Sequence, residues 1–155
     1  MVNTFTSYNL IVRDLPKALD RVEKQPAVDR ETKYYLENIT KVTSIEEFVK
    51  NDRLLKYAMK AHGLEDMAYA KAFMIKALKE GVSDPDSFAN KLTDKRYAEF
   101  VKSYNFEKYG AAATSYNKAQ YDVPKNFATR VELAALQNGF EEYGEETGYY
   151  LTNIS

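Results

Sequence analysis

Apolar positions recur at three- and four-residue intervals along almost the whole chain, and no stretch alternates apolar and polar residues long enough to make a strand. Gly and Pro fall between the periodic segments, which is where helix boundaries put them. A first helix is predicted from about Asp14 to Lys24, with Asp14 as cap and Pro16 in the first turn. Gln25-Pro26 interrupts it, and a second helix runs from Pro26 to Ile39. Ser44-Ile-Glu-Glu47 reads as a capping box, the hydroxyl taking one free N–H and Glu47 returning to another, and opens a short helix through Lys50. Asp52–His62 follows, with Gly63 as a left-handed stop. Leu64–Glu80, Asp84–Leu92 and Thr93–Tyr104 read as further helices, Gly110–Ser115 as a loop or linker, and Pro124 to about Asn153 as a long helical region that Asn138-Gly139 could break. The expected fold class is all-α: a compact, non-solenoid bundle of roughly seven to nine helices.

The segment from Leu64 is the most apolar. At about 100° per residue, Glu65, Lys76, Lys79 and Glu80 share one narrow stripe while Met67, Ala70, Phe73, Met74, Ala77 and Leu78 face away from it. Such a helix is expected near the centre. Lys71 is its exception, with two readings: a lysine that snorkels or pairs with a carboxylate, or a partner-binding lysine.

Residues 31–40, Glu-Thr-Lys-Tyr-Tyr-Leu-Glu-Asn-Ile-Thr, return at 146–155 as Glu-Thr-Gly-Tyr-Tyr-Leu-Thr-Asn-Ile-Ser, an offset of 115. Seven of the ten positions are identical, and Thr40 against Ser155 is a conservative exchange. Val28, Thr32, Tyr35, Leu36 and Ile39 form an apolar stripe at helical spacing, with counterparts Tyr143, Thr147, Tyr150, Leu151 and Ile154. The period is far longer than the 20–50 residues of a solenoid, so it predicts a duplicated domain. The expected organisation is a helical core over 1–110, a linker and helical region over 111–139, and the start of a second copy over 140–155, the front of a longer protein. The alternative is one complete domain holding two similar helices. A last helix without its partners would also favour a homodimer through 140–155.

Composition narrows the chemistry. The chain has 155 residues, enough for one domain with its own core. It has no cysteine, which excludes disulfides and thiol catalysis, and a single histidine, His62. Lys+Arg number 22 against 23 Asp+Glu, so no basic excess points to nucleic acid. No apolar run is long enough for a membrane span, and no leader pattern opens the chain, so a cytoplasmic protein is expected.

His62, before Gly63 at a helix end, reads as an imidazole placed by the carboxyl-terminal dipole. The acidic pairs Glu46-Glu47, Glu65-Asp66, Asp84/Asp86, Glu141-Glu142 and Glu145-Glu146 read as helix starts and solvated faces, without the spacing of a calcium loop. No catalytic residue, metal ligand or cofactor is therefore expected, and the protein is read as a non-enzyme.

Tyrosine is the unusual residue, 13 copies beside eight phenylalanines and no tryptophan. It suits interfaces, with an apolar body and a polar tip. In Tyr34-Tyr35 and Tyr149-Tyr150 the second member faces the stripe and the first its flank, so Tyr34 and Tyr149 join Lys71 as candidate partner-binding residues.

Several blocks in order, Thr4-Phe-Thr-Ser-Tyr8, Glu31-Thr-Lys-Tyr-Tyr-Leu36, Tyr57 through Phe73 and Asp84 through Tyr97, resemble domain-of-unknown-function family twelve-seventeen of alphaproteobacteria, over about residues 4–110. Members resembling it are often longer and encoded beside flagellar genes, and the family brings no activity, cofactor or catalytic residue. The resemblance implies a context: an interaction module accessory to flagellar assembly, export or structure, with protein partners and neither nucleic acid nor membrane among them. The alternative is a small-molecule sensor or binding domain within a helical bundle.

Overall fold

The protein's structure is a computed structural model that describes residues 17–147, with side chains through residue 138. Helices and tight turns follow one another without a strand among the described residues. The elements are α1 (17–23), α2 (Pro26–Ile39), α3 (Ile45–Lys50), α4 (Asp52–Ala61), a 3-10 turn (Glu65–Met67), α5 (Lys71–Glu80), α6 (Phe88–Lys91), α7 (Arg96–Ser103), α8 (Phe106–Tyr109), a 3-10 segment (Gly110–Ser115), a π segment (Lys118–Asp122) and α9 (Val123–Thr147). This is the all-α bundle that the periodicity predicts.

Local chemistry sets the first half. Pro26 opens α2, and Ser44 caps α3 by accepting from Glu47 N–H at 3.1 Å. The return bond of the box is not made to backbone. Glu47 Oε1 accepts instead from the Thr43 and Ser44 hydroxyls, at 3.0 and 3.3 Å. Asn51 caps α4 through Leu54 N–H at 3.1 Å. Gly63 (φ 73°) ends α4: its N–H reaches Lys60 O at 2.9 Å and Leu64 N–H reaches Met59 O at 2.8 Å, which satisfies two terminal carbonyls and tucks Leu64 into the core.

The long helix expected over Leu64–Glu80 is two pieces. Lys71 N–H bonds Tyr69 O at 2.9 Å across Ala70 (φ −83°, ψ 61°), an inverse γ-turn that ends the 3-10 turn and restarts the chain as α5. Met74, Ala77 and Leu78 are buried there, but the deepest helix is α4, which buries Leu54, Leu55, Tyr57, Ala58, Met59 and Ala61 and meets α2, α3 and α9.

Asp84-Pro85 makes a turn rather than a helix start. Ser87 N–H closes on Asp84 O at 3.0 Å, and α6 begins only at Phe88, whose N–H is taken by Glu80 Oε1 at 3.0 Å. Asp94 likewise folds back on Arg96, so α7 starts at Arg96 rather than Thr93.

The boundary expected at 110 falls inside one core. Gly110–Ser115 is a packed 3-10 segment, with Ala113 and Thr114 buried and the Thr114 hydroxyl donating to Val42 O at 2.9 Å. Ala119, Val123, Phe127 and Ala128 belong to the same apolar cluster as α2–α8. Small residues read as a linker, yet Ala113 and Thr114 are buried and the Thr114 hydroxyl ties the segment to the chain after α2.

Helix α9 continues through Asn138-Gly139 without a break. The start expected at Asp14, the repeated segment 146–155 and its dimer contact lie outside the residues described with side chains. Among the described residues no helix is long and apolar enough to cross a membrane.

Candidate functional site

Helix α7 ends by sending two consecutive residues into two different buried networks. Tyr104 enters the core, where its hydroxyl lies 2.7 Å from that of Tyr35, both side chains fully buried. Tyr35 donates onward to the Ala119 carbonyl. Ala119 needs that donor. In the π segment the five-residue partner of its carbonyl is Pro124, which has no N–H, while Val123 N–H is used by Lys118 O. Tyr35 also stacks on Tyr57 at 4.5 Å, and Tyr57 on Phe127 at 4.0 Å, so one aromatic column joins α2, α4 and α9. Burial pushes the Tyr35 and Tyr104 phenols far above their ordinary range, so both stay neutral.

Ser103 points the other way. Its hydroxyl is 3.0 Å from His62 Nε2, while His62 Nδ1 is 2.8 Å from Ala58 O. A carbonyl only accepts, so Nδ1 carries the proton, and in the neutral imidazole Nε2 accepts from Ser103. His62 is 8% exposed and packs edge-on against Phe100 at 5.2 Å. Burial lowers its pKa below the usual histidine value, and the cations Arg130 and Lys118 push the same way against Ala58 O and Glu99. The dipole role expected from sequence is thus outweighed: desolvation favours the neutral ring.

The His62–Ser103 pair floors a cleft of about 500 Å³ walled by α4, α7, the π segment and α9. Lys95, Arg96, Lys118 and Arg130 line it, against Glu99 and Asp122. Arg96 is committed: its guanidinium forks onto Asp94 and its Nη1 donates to Gly63 O at 2.6 Å. Arg130 lies against Gly63, where a Cβ would meet its guanidinium at 3.0 Å.

The candidates from sequence fall elsewhere. Tyr34 is half-buried; the Arg53 guanidinium sits 3.8 Å over its ring and its hydroxyl accepts from Asn51 Nδ2 at 3.2 Å. Lys71, the first residue of α5, pairs with Asp52 in the first turn of α4, and that pairing holds the Asp52 carboxyl below its usual range. Tyr149 lies outside the described residues. Neither Tyr34 nor Lys71 lines the cleft. Sequence reading missed Ser103, Lys118 and Arg130: their types are ordinary, and only the fold joins them. Among the described residues no group of three His, Asp or Glu side chains is placed to hold a metal ion.

The fold and this cleft define a helical domain with a cationic recess beside a buried imidazole. Residues 61–139 match the family described as protein of unknown function (DUF1217), and the chain belongs to that family. It is similar to the crystal structure of protein AGR_C_984 from Agrobacterium tumefaciens, at 50% sequence identity and a TM-score of 0.81. The match covers 95% of this chain and 61% of that one, so the chain spans about three-fifths of the length of its solved relative. Nothing among curated proteins matches.

Proposed function

We propose that the chain is a non-enzymatic helical module of the cytoplasm that docks a protein partner. The observation that supports this reading is the outer part of α9. A helix of 25 residues is about 37 Å long at 1.5 Å per residue. Among its residues described with side chains, through 138, the first turns are seated in the core, through Val123, Phe127 and Ala128. From Thr129 to Asn138 no residue is buried, although Val131, Leu133, Ala134, Ala135 and Leu136 lie there. These apolar residues fall on more than one side of the helix, a pattern that suits a helix covered from several directions. Leu133 is 43% exposed.

The kind of partner follows from the resemblance to proteins encoded beside flagellar genes: a component of flagellar assembly, export or structure. The test is a deletion strain scored for swimming and filament assembly, complemented with the native chain or with Leu133→Asp. Native complementation and failure of a stably folded Leu133→Asp is the expected result. Normal swimming and normal filaments in the deletion strain would remove the flagellar reading. A second reading, a small-molecule binding domain, is favoured by the cleft beside His62.

A further inference from the structure

We propose that the cleft between α7 and α9 binds a small phosphate monoester, with Lys118 and Arg130 holding the phosphate. The inference deepens the small-molecule reading and rests on it; the cleft shares Leu133 with the outer face of α9, so its test uses Lys118 and Arg130 instead.

The charge inventory leads there. Of the four cations in the cleft, Arg96 is occupied by Asp94 and the Gly63 carbonyl, and Lys95 donates to Asn90 O at 3.0 Å. Glu99 is answered from outside the cleft by Lys102, at 3.1 Å. The side chains of Lys118 and Arg130 make no hydrogen bond or ion pair among the described residues, yet both line the same recess, from two different elements. Asp122, the remaining carboxylate of the lining, makes no ion pair with either among the described residues, so one carboxylate faces two cations and the recess keeps a net positive charge. An anion with oxygens for both cations balances that charge, and a phosphate offers two charges and a matching face for the guanidinium fork.

Position supports the same residues. Lys118 opens a π segment, a distortion frequent at functional sites. The Arg130 guanidinium rests against the Gly63 backbone, so part of its ordering precedes any ligand.

The floor suits an anion as well. Ser103 Oγ lies 3.0 Å from His62 Nε2 and 3.3 Å from Glu99 O. With neutral imidazole the hydroxyl donates to Nε2. With imidazolium, Nε2 donates to the hydroxyl, which turns its proton to Glu99 O. Both protonation states keep their hydrogen bonds, so a bound dianion can draw a proton onto His62 without stranding a polar group.

Size selects an ester over free phosphate. About 500 Å³ lies in the range of small-molecule sites and exceeds what inorganic phosphate fills. Leu133, at the cleft wall, gives the organic part an apolar surface.

His62 is the single histidine of the chain, so its ring protons report this cleft alone by NMR. Inorganic phosphate and phenyl phosphate are titrated into the 155-residue chain at fixed pH and ionic strength. The expected result is a saturating His62 shift with both, at least tenfold tighter for phenyl phosphate, and at least tenfold weaker in Arg130→Ala and in Lys118→Ala. Both side chains are exposed, and either variant alone is sufficient should the other lose its helical circular dichroism. A shift that chloride reproduces, that fails to saturate, or that keeps its affinity in the folded variants would overturn the site. Equal affinity for the two phosphates would overturn the ester assignment.

Discussion

Ser103 and Tyr104 are neighbours in sequence and each joins a buried side-chain hydrogen bond to a distant element, yet the two bonds do different work. Tyr104–Tyr35 is closed: both phenols are neutral, fully buried, and end on a carbonyl that Pro124 leaves without a helical donor. His62–Ser103 is open: its hydrogen bonds can be kept in either protonation state of the imidazole, and one side of it borders a cationic cleft. A closed network has one hydrogen-bonding solution and locks the fold. An open one with two solutions can respond to its surroundings.

The largest effect should come from the closed side. Tyr35→Phe strands the Ala119 carbonyl and removes the acceptor of Tyr104, at about 1–3 kcal/mol for a buried group left unsatisfied. Urea unfolding measures it. Next is Gly63→Ala, where φ 73° and the guanidinium of Arg130 at 3.0 Å oppose a Cβ; a loss of about 1 kcal/mol or more is expected from the same assay. Ser103→Ala should cost less than Tyr35→Phe, about 0.5–1.5 kcal/mol, because water in the cleft can replace the hydroxyl. A Ser103→Ala loss as large as that of Tyr35→Phe would break the contrast. Smallest is Lys71→Ala. Its pair with Asp52 is solvent-exposed, 43% and 72%, and no measurable change in Tm is expected at moderate salt.

The open side also predicts a pH dependence. The folded pKa of His62 lies below the unfolded value, so the unfolded state takes up the proton first as pH falls. The contribution of His62 to stability is complete above about pH 6.5 and is lost as pH drops through the folded pKa. Unfolding at pH 7.5 and 5.5 should show that loss, reduced in His62→Gln.

How much of this was legible depended on how local its cause is. The bounds of α2, the Ser44 cap and the Gly63 stop rest on residues within one turn, and they stand in the sequence. The γ-turn at Ala70 uses Tyr69 and Ala70, which suit a helix equally well, so the break answers to packing and the periodicity runs across it. Gly110–Ser115 reads as linker because small residues look like loops; its Thr114 bond reaches 72 positions back, to Val42. The π segment was hidden for a related reason: Pro124 announces a helix start, while the donor that completes the turn before it is Tyr35, 84 residues away. Of the candidate site, His62 was visible as the lone histidine with a structural role. Ser103, Lys118 and Arg130 are common residue types, and their convergence exists only once α4, α7 and α9 have packed.

The most direct test of an imidazole buried in a cationic recess is its own titration. The ring protons of His62 are followed against pH by NMR in the native chain and in Arg130→Ala. The account predicts a midpoint below 6.5 that rises when the Arg130 charge is removed, because burial and the two cations both disfavour the imidazolium. A midpoint at or above 6.5, or one that Arg130→Ala leaves in place, would contradict it.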